Sequence, residues 1–258
     1  MTSIGIKEQY IAFITIARKE TTRILRIWPQ TFIPSIITSA LYFVVFGHVL
    51  GSRIGKFGDN SYIDFILPGL IIMNIISSSY NNSVFAVFAE KFHRSLEEII
   101  KSPAKPYIVL AGYTAGSMLR SIISGLCILL VASFFTKIKI YNISLMILVA
   151  LMASLLFSIL GLINGIFAKK WDDVSWISSF IITPLSYLGG IFYSVNSLNP
   201  LWQKASFFNP IFYFIDLFRY AMIGVKTLDP WITVSISACL IIFFWITTVL
   251  IFKRAIQI

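Results

Sequence analysis

Gly51-Ser52-Arg53-Ile54-Gly55-Lys56 is the stretch of this chain that comes nearest to a chemical motif. A loop that cradles phosphates needs one more residue between its glycines, and a Ser or Thr after the lysine to reach the metal. Phe57 follows Lys56 instead. His48 and His93 stand far apart, and no His-Glu-x-x-His run is present to hold a catalytic zinc. Cys127 and Cys239 each lie inside an apolar run, where free Cys packs as a small hydrophobe. They form neither a disulfide framework nor a metal knuckle. The 11 Asp and Glu fall almost wholly between the apolar runs. A proton-coupled carrier usually needs a carboxylate buried in the membrane, and a metal-dependent lipid transferase needs a spaced acidic cluster. Neither pattern is present, so no catalytic residue and no metal site is expected. If such a chain moves a solute, it has no energy source of its own, and an external motor is expected.

The composition shows what surrounds these absences. The 258 residues are 57% hydrophobic and 12% charged, with a mean hydropathy of +0.84. Soluble domains carry about 25% charged residues. A water-soluble globule, a disordered chain and a secreted disulfide scaffold are therefore excluded. The net charge of +10 would suggest nucleic acid in a soluble protein. In a membrane protein it reflects Lys and Arg gathered in cytoplasmic loops, so no nucleic-acid partner is expected.

Six apolar runs are long enough for a hydrocarbon layer of about 30 Å: 31–50, 65–89, 107–136, 143–168, 174–203 and 231–252. Six crossings put both termini on one side. Counting Lys and Arg between the runs favours the cytoplasm for that side, with no cleavable signal peptide. The expected fold is an all-α polytopic membrane protein of one domain, residues 1–258. It has six transmembrane helices, an N-terminal amphipathic interfacial helix and a re-entrant element before the last helix.

Three segments outside the spans stand out. Over 7–28, Tyr10, Phe13, Ile14, Ala17, Thr21, Ile24, Leu25 and Trp28 form one helical stripe, with Lys19, Arg23 and Arg26 off it. That is an amphipathic helix suited to the membrane surface, and Pro29 is expected to end it. Over 90–103, Phe92, Leu96, Ile99 and Ile100 give a short helix one apolar face, stopped by Pro103. Arg94 can pair with Glu97 and Glu98, and either acid with Lys101. Such a helix can seat in a groove of another protein, or lie idle on the bilayer. Over 196–224, prolines and glycines punctuate a stretch too apolar for an outer loop, which suits irregular backbone at membrane depth. Asp216 and Arg219, three apart, are expected to pair.

Within the spans, Gly112-x-x-x-Gly116 and Gly161-x-x-x-Gly165 are patterns that let helices approach closely. The run 65–89 is unusually polar, with Asn74, Ser77, Ser78, Ser79, Asn81 and Asn82 among its residues. Arg120, inside the third run, must face the bundle, snorkel, or meet a carbonyl or a lipid phosphate.

In this order the segments resemble the ABC-2 family of ABC exporter permeases. The likeness rests on Glu90-Lys91 through Leu96-Glu97-Glu98 to Pro103. It rests also on Leu198-Asn-Pro through Asn209-Pro210, Tyr213, Asp216 and Arg219. It implies a half-transporter: two copies of this chain joined to two copies of a separate cytosolic ATPase, which uses the ATP and Mg while this chain binds no cofactor. The 90–103 element would be the coupling helix, with Glu90, Lys91, Phe92, Arg94, Leu96, Glu97, Glu98 and Lys101 meeting the ATPase. Segment 7–28 would be the connecting helix. Phe43, Asn74, Tyr80, Asn81, Tyr187, Phe192 and Tyr193 would line the route. The cargo would be amphipathic, lipid-linked, drug-like or polysaccharide, exported across a bacterial inner membrane. An ion-coupled secondary transporter or channel is the alternative.

Overall fold

A computed structural model describes residues 5–50, 56–57, 60–93 and 95–256. The phosphate-loop look-alike at 51–55 and Arg94 lie outside the described residues, as do the side chains of Glu97 and Lys101. Turns and loops aside, the described chain is helical, with two two-residue strands, β1 Lys56–Phe57 and β2 Asn60–Ser61, paired antiparallel with Lys56 opposite Ser61.

The helices are α1 Ile6–Arg26, α2 Trp28–Tyr42, α3 Tyr62–Phe92, α4 Ser95–Lys101, α5 Pro106–Ala132 and α6 Ile143–Phe167. They continue as α7 Trp171–Ile177, α8 Thr183–Leu188, α9 Pro200–Phe207, α10 Pro210–Ile223 and α11 Pro230–Ile256. Five of them are long and apolar enough to cross a membrane; α2 reaches that length through the wider π-helical winding that begins at Phe43. The apolar window of α3 is 72% buried and that of α11 only 11%. By this burial α3 is the hub and α11 an outer member.

Two contacts fix the hub. Gly161 and Gly165 of α6 lie directly on the backbone carbonyls of Tyr80 and Val84. A Cβ at Gly165 would stand 2.9 Å from the Val84 oxygen, so only glycine allows this approach. On the other side, several polar residues of α3 hydrogen-bond to neighbouring helices. The Ser124 hydroxyl of α5 donates to Asn74 Oδ1 at 2.6 Å, and Asn82 Nδ2 donates to Ser117 at 2.9 Å. The Ser83 hydroxyl lies 2.8 Å from that of Ser117 and 3.1 Å from that of Ser158 of α6, and its one proton serves one of them at a time.

Four expectations need correction. First, α1 ends at Arg26, and Ile27 breaks the path at φ −107°. Pro29 opens α2, where its missing N–H has no helical partner to lose. Secondly, the stripe of α1 is divided: Tyr10 is 63% and Trp28 55% exposed, while Ile24 packs on the bundle. The packed face carries Gln9, Glu20 and Ile24. It reaches α5 because Gly112 sits under Ile16 and Gly116 under Glu20. Thirdly, the run 174–203 is not one long helix. The chain passes from α7 through a π-helical stretch, Ser178–Ile182, into α8, then turns at Gly189 and Gly190. Gly190 has φ 82°, a conformation glycine adopts without strain. Fourthly, Asp216 and Arg219 form no ion pair among the described residues, for reasons given below.

Candidate coupling platform and aromatic face

At one end of α3 three segments are tied into a single platform. Lys19 of α1 forms an ion pair with Glu90, whose other carboxylate oxygen accepts from the Ser95 hydroxyl at 2.6 Å. Gln9, also on α1, donates through Nε2 to the Pro103 carbonyl at 3.3 Å. Its Oε1 accepts the Lys105 N–H at 2.9 Å. Lys91 reaches the last turn of α6 and donates to the Ile166 and Ala168 carbonyls at 2.8 and 2.9 Å, satisfying acceptors a helix end leaves open. The short helix α4 is therefore joined to α3 through Ser95, and the turn that follows it is tied to α1 through Gln9.

Its apolar face is used within the chain. Leu96 and Ile99 pack on the cluster of Val87, Val109, Leu110 and Tyr113. Phe92 belongs to α3, not α4, and its ring lies 5.5 Å from that of Trp171. The helix is shorter than the expected 90–103, because a turn at His93 separates it from α3. Glu98 stays exposed.

Glu20 is 1% exposed and pairs with Arg23 at 2.6 Å. Burial raises its carboxyl above the ordinary value of 4.5; Arg23 and Lys19 pull it down, and Glu90 pushes it up. A carboxyl raised on folding stabilises most below its unfolded value and loses that contribution as pH rises through its folded value. Docking of α1 is thus expected to loosen as pH rises above the carboxyl's ordinary value. Limited proteolysis within α1 reads this directly. Glu20→Gln should flatten the pH dependence; an unchanged slope in that variant would show that other groups govern it.

The α10 motif satisfies backbone. Asn209 caps α10, its Oδ1 accepting the Ile211 N–H at 3.0 Å, while its Nδ2 donates to the Leu185 carbonyl. Pro210 occupies the first turn. Tyr213 donates to the Phe207 carbonyl at 2.7 Å. Asp216 accepts the N–H groups of Thr227 and Leu228 at 2.9 and 3.0 Å. Arg219 donates to the carbonyls of Gly190, Ile191 and Phe65 at 2.6, 3.4 and 3.3 Å and lies 4.0 Å over the Phe65 ring. Irregular backbone follows Gly189 and must find partners for its carbonyls. Arg219 is one of them, which is why it turns away from Asp216.

At the far end of α3, about 45 Å away at 1.5 Å per residue, four rings gather. Phe46 and Phe192 stack at 4.7 Å, Tyr187 lies 5.8 Å from Phe192, and Tyr42 faces the Tyr187 hydroxyl at 3.4 Å. Tyr62 of α3 donates to the Phe192 carbonyl at 3.1 Å. Of the residues expected to line a route, Tyr187 and Phe192 meet here, with Tyr193 nearby, donating to the Leu188 carbonyl. Phe43 is buried against Phe135. Tyr80 is buried and Asn74 is engaged by Ser124, while Asn81 is partly buried.

Residues 11–223, from α1 to the end of α10, match the family described as ABC-2 type transporter. The chain belongs to that family. It is 39% identical to the inner membrane transport permease YadH of Escherichia coli (strain K12) over 237 residues, 92% of this chain and 93% of that one. It is 25% identical to nodulation protein J of Neorhizobium galegae over 236 residues, 90% and 89% of the two chains. With nodulation protein J of Rhizobium meliloti (strain 1021) the identity is 22% over 233 residues.

This ABC-2 protein is thus a membrane transporter with a permease's role, and its platform includes residues the sequence reading passed over. Gln9 and Glu20 fall on one helical face with Phe13, Ile16 and Ile24. Reading α1 for the side its polar residues share, rather than for its greasiest stripe, finds them. Tyr42 and Phe46 carry no local signal, because only the fold brings them to Phe192.

Proposed function

We propose that this chain is the permease subunit of an ATP-driven exporter. Two copies pair in a bacterial inner membrane, with both termini cytoplasmic, and each seats α4 on a separate cytosolic ATPase that binds the ATP and Mg. The observation that carries this reading is the platform. A push on α4 is delivered at once to α1 through Gln9 and to α3 through Glu90. The exposed Glu98 is left for the partner. ATP acts by favouring one of two arrangements of the bundle. In this reading α7, the π-helical stretch and α8 form a sixth, broken crossing. The elements α9 and α10 re-enter the membrane, since α10 with 14 residues spans about 21 Å, short of the hydrocarbon thickness. Tyr187, Phe192 and Tyr193 border the route together with Tyr42 and Phe46. Rings there accept an amphipathic, lipid-linked, drug-like or polysaccharide cargo.

The test is affinity purification of the full-length tagged chain from its own membranes. A cytosolic ABC ATPase should co-purify in equal amount. Charge reversal by Glu97→Lys with Glu98→Lys should lower its recovery about tenfold, in line with loss of interfacial charge pairs. Gln9→Ala should keep the partner but weaken the link between hydrolysis and transport. Normal assembly and transport in the doubly reversed chain would refute the coupling role. Uphill transport by the isolated chain on an ion gradient would refute the motor.

A further inference from the structure

Behind the exposed side of α1, two arginines converge on one neutral atom. Arg23 of α1 and Arg120 of α5 each donate to Asn82 Oδ1 at 3.0 Å. One carboxylate, Glu20, stands beside this pair and is engaged with Arg23. Arg120 meets no carboxylate among the described residues, and its Nε is shielded from solvent without a hydrogen-bond partner. Both arginines are partly buried, and a guanidinium drawn partly out of water favours a counter-charge and partners for its N–H groups. Two facing cations on a carboxamide oxygen leave positive charge in excess.

One member of this pair, Arg23, reaches outward, while Arg120 stands behind it and does not border the opening. Arg23 also lines a cleft of about 580 Å³ along α1 whose other polar walls include Arg18, Lys19, Thr22 and Arg26. Lys19 is taken by Glu90. Arg18 and Arg26 are exposed and form no ion pair among the described residues. Ile14 and Ile27 edge the same cleft, and Ile14 belongs to the apolar stripe that α1 leaves uncovered. The chemistry is that of a phosphate: several forked guanidinium donors suit its oxygens, a hydroxyl stands at the wall, and apolar side chains lie at the rim.

We propose that the arginine cleft of α1, backed by Arg120, binds a phosphate-bearing anion, supplied by an anionic lipid headgroup or by a soluble phosphate. Binding completes the charge of the Arg23–Arg120 pair and fixes α1 to α3 and α5. The site is independent of whether an ATPase drives the bundle.

The experiment uses the full-length chain in detergent, with any subunit that co-purifies, titrated with phosphatidylglycerol or phosphatidylcholine and read by native mass spectrometry. The parent should prefer phosphatidylglycerol. Arg120→Gln, and separately the double variant Arg18→Gln with Arg26→Gln, should each weaken that binding about five- to tenfold, as loss of charges at a lipid surface does. Lys253→Gln, in the last turn of α11, serves as the control for general basicity. The double variant changes only exposed side chains, so it decides the matter even where Arg120→Gln fails to fold. Inorganic phosphate added in competition separates the sources: displacement assigns the site to phosphate itself, and resistance assigns it to the lipid headgroup. Phosphatidylglycerol affinities of the double variant and of Arg120→Gln no lower than that of Lys253→Gln would overturn the proposal.

Discussion

Replacing Arg219 by Met is expected to lower folding stability by at least about 3 kcal/mol, since charged hydrogen bonds contribute about 1.5–3 kcal/mol each and an abandoned buried acceptor costs about 1–3. Arg219 is 4% exposed and serves the carbonyls of Gly190, Ile191 and Phe65. Met fills similar volume but donates nothing, so three acceptors lose their partner where water does not reach. Lys keeps the charge yet offers a point rather than a fork, and it should recover only part of the loss. Asp216→Asn keeps an acceptor for Thr227 and Leu228 and should be much milder. Thermal unfolding of the detergent-solubilised chain ranks the three. A Met variant as stable as the parent would mean that the segment after Gly189 does not depend on this clamp.

Gly161→Ala should destabilise by about 1–3 kcal/mol, the usual penalty of overpacking, and Gly161→Leu should prevent α6 from docking. The new Cβ would stand 2.8 Å from Ser83 Cβ and against the Tyr80 carbonyl. A backbone carbonyl of the hub helix cannot swing aside, so α6 itself must retreat. Gly125 offers the contrast. Its Cβ would meet Ile75 Cδ1 and Cγ1 at 2.8 Å, the outer atoms of a side chain with other rotamers, and Gly125→Ala should cost clearly less. Equal losses at both positions in the same unfolding assay would show that backbone contact is not what makes Gly161 critical.

The five long helices were legible because an apolar run of the right length has few other fates. So were Gly161 and Gly165 as a close-packing pair, though not the helix they meet. The broken run after Trp171 was not legible. Its residues are uncharged from Val174 to Gln203, and hydropathy cannot see that Gly189-Gly190 turns the chain or that Arg219, far along the sequence, satisfies it. The Asp216–Arg219 expectation failed for the same reason. Spacing on a helix says which side chains can meet, while unpaired carbonyls elsewhere decide which ones do. In α1 the most apolar stripe drew the eye, but in a membrane protein apolar surface faces lipid as readily as protein. The packed face was the one with Gln9 and Glu20, where small residues of α5 let polar groups in.

The π-wound stretches Phe43–Leu50 and Ser178–Ile182 have a mechanical consequence. Such winding stores a surplus residue in a helix and collects at working parts of proteins. Both stretches flank the rings of Tyr42, Phe46, Tyr187 and Phe192, whereas α3, which joins those rings to the distant platform, is α-helical throughout. The molecule thus has a long shaft, with Pro68 inside it near the rings, and slack at that end. Shifting the surplus along either stretch re-aims the rings it passes without melting a helix, so movement of the shaft can be taken up there as rotation rather than as fracture.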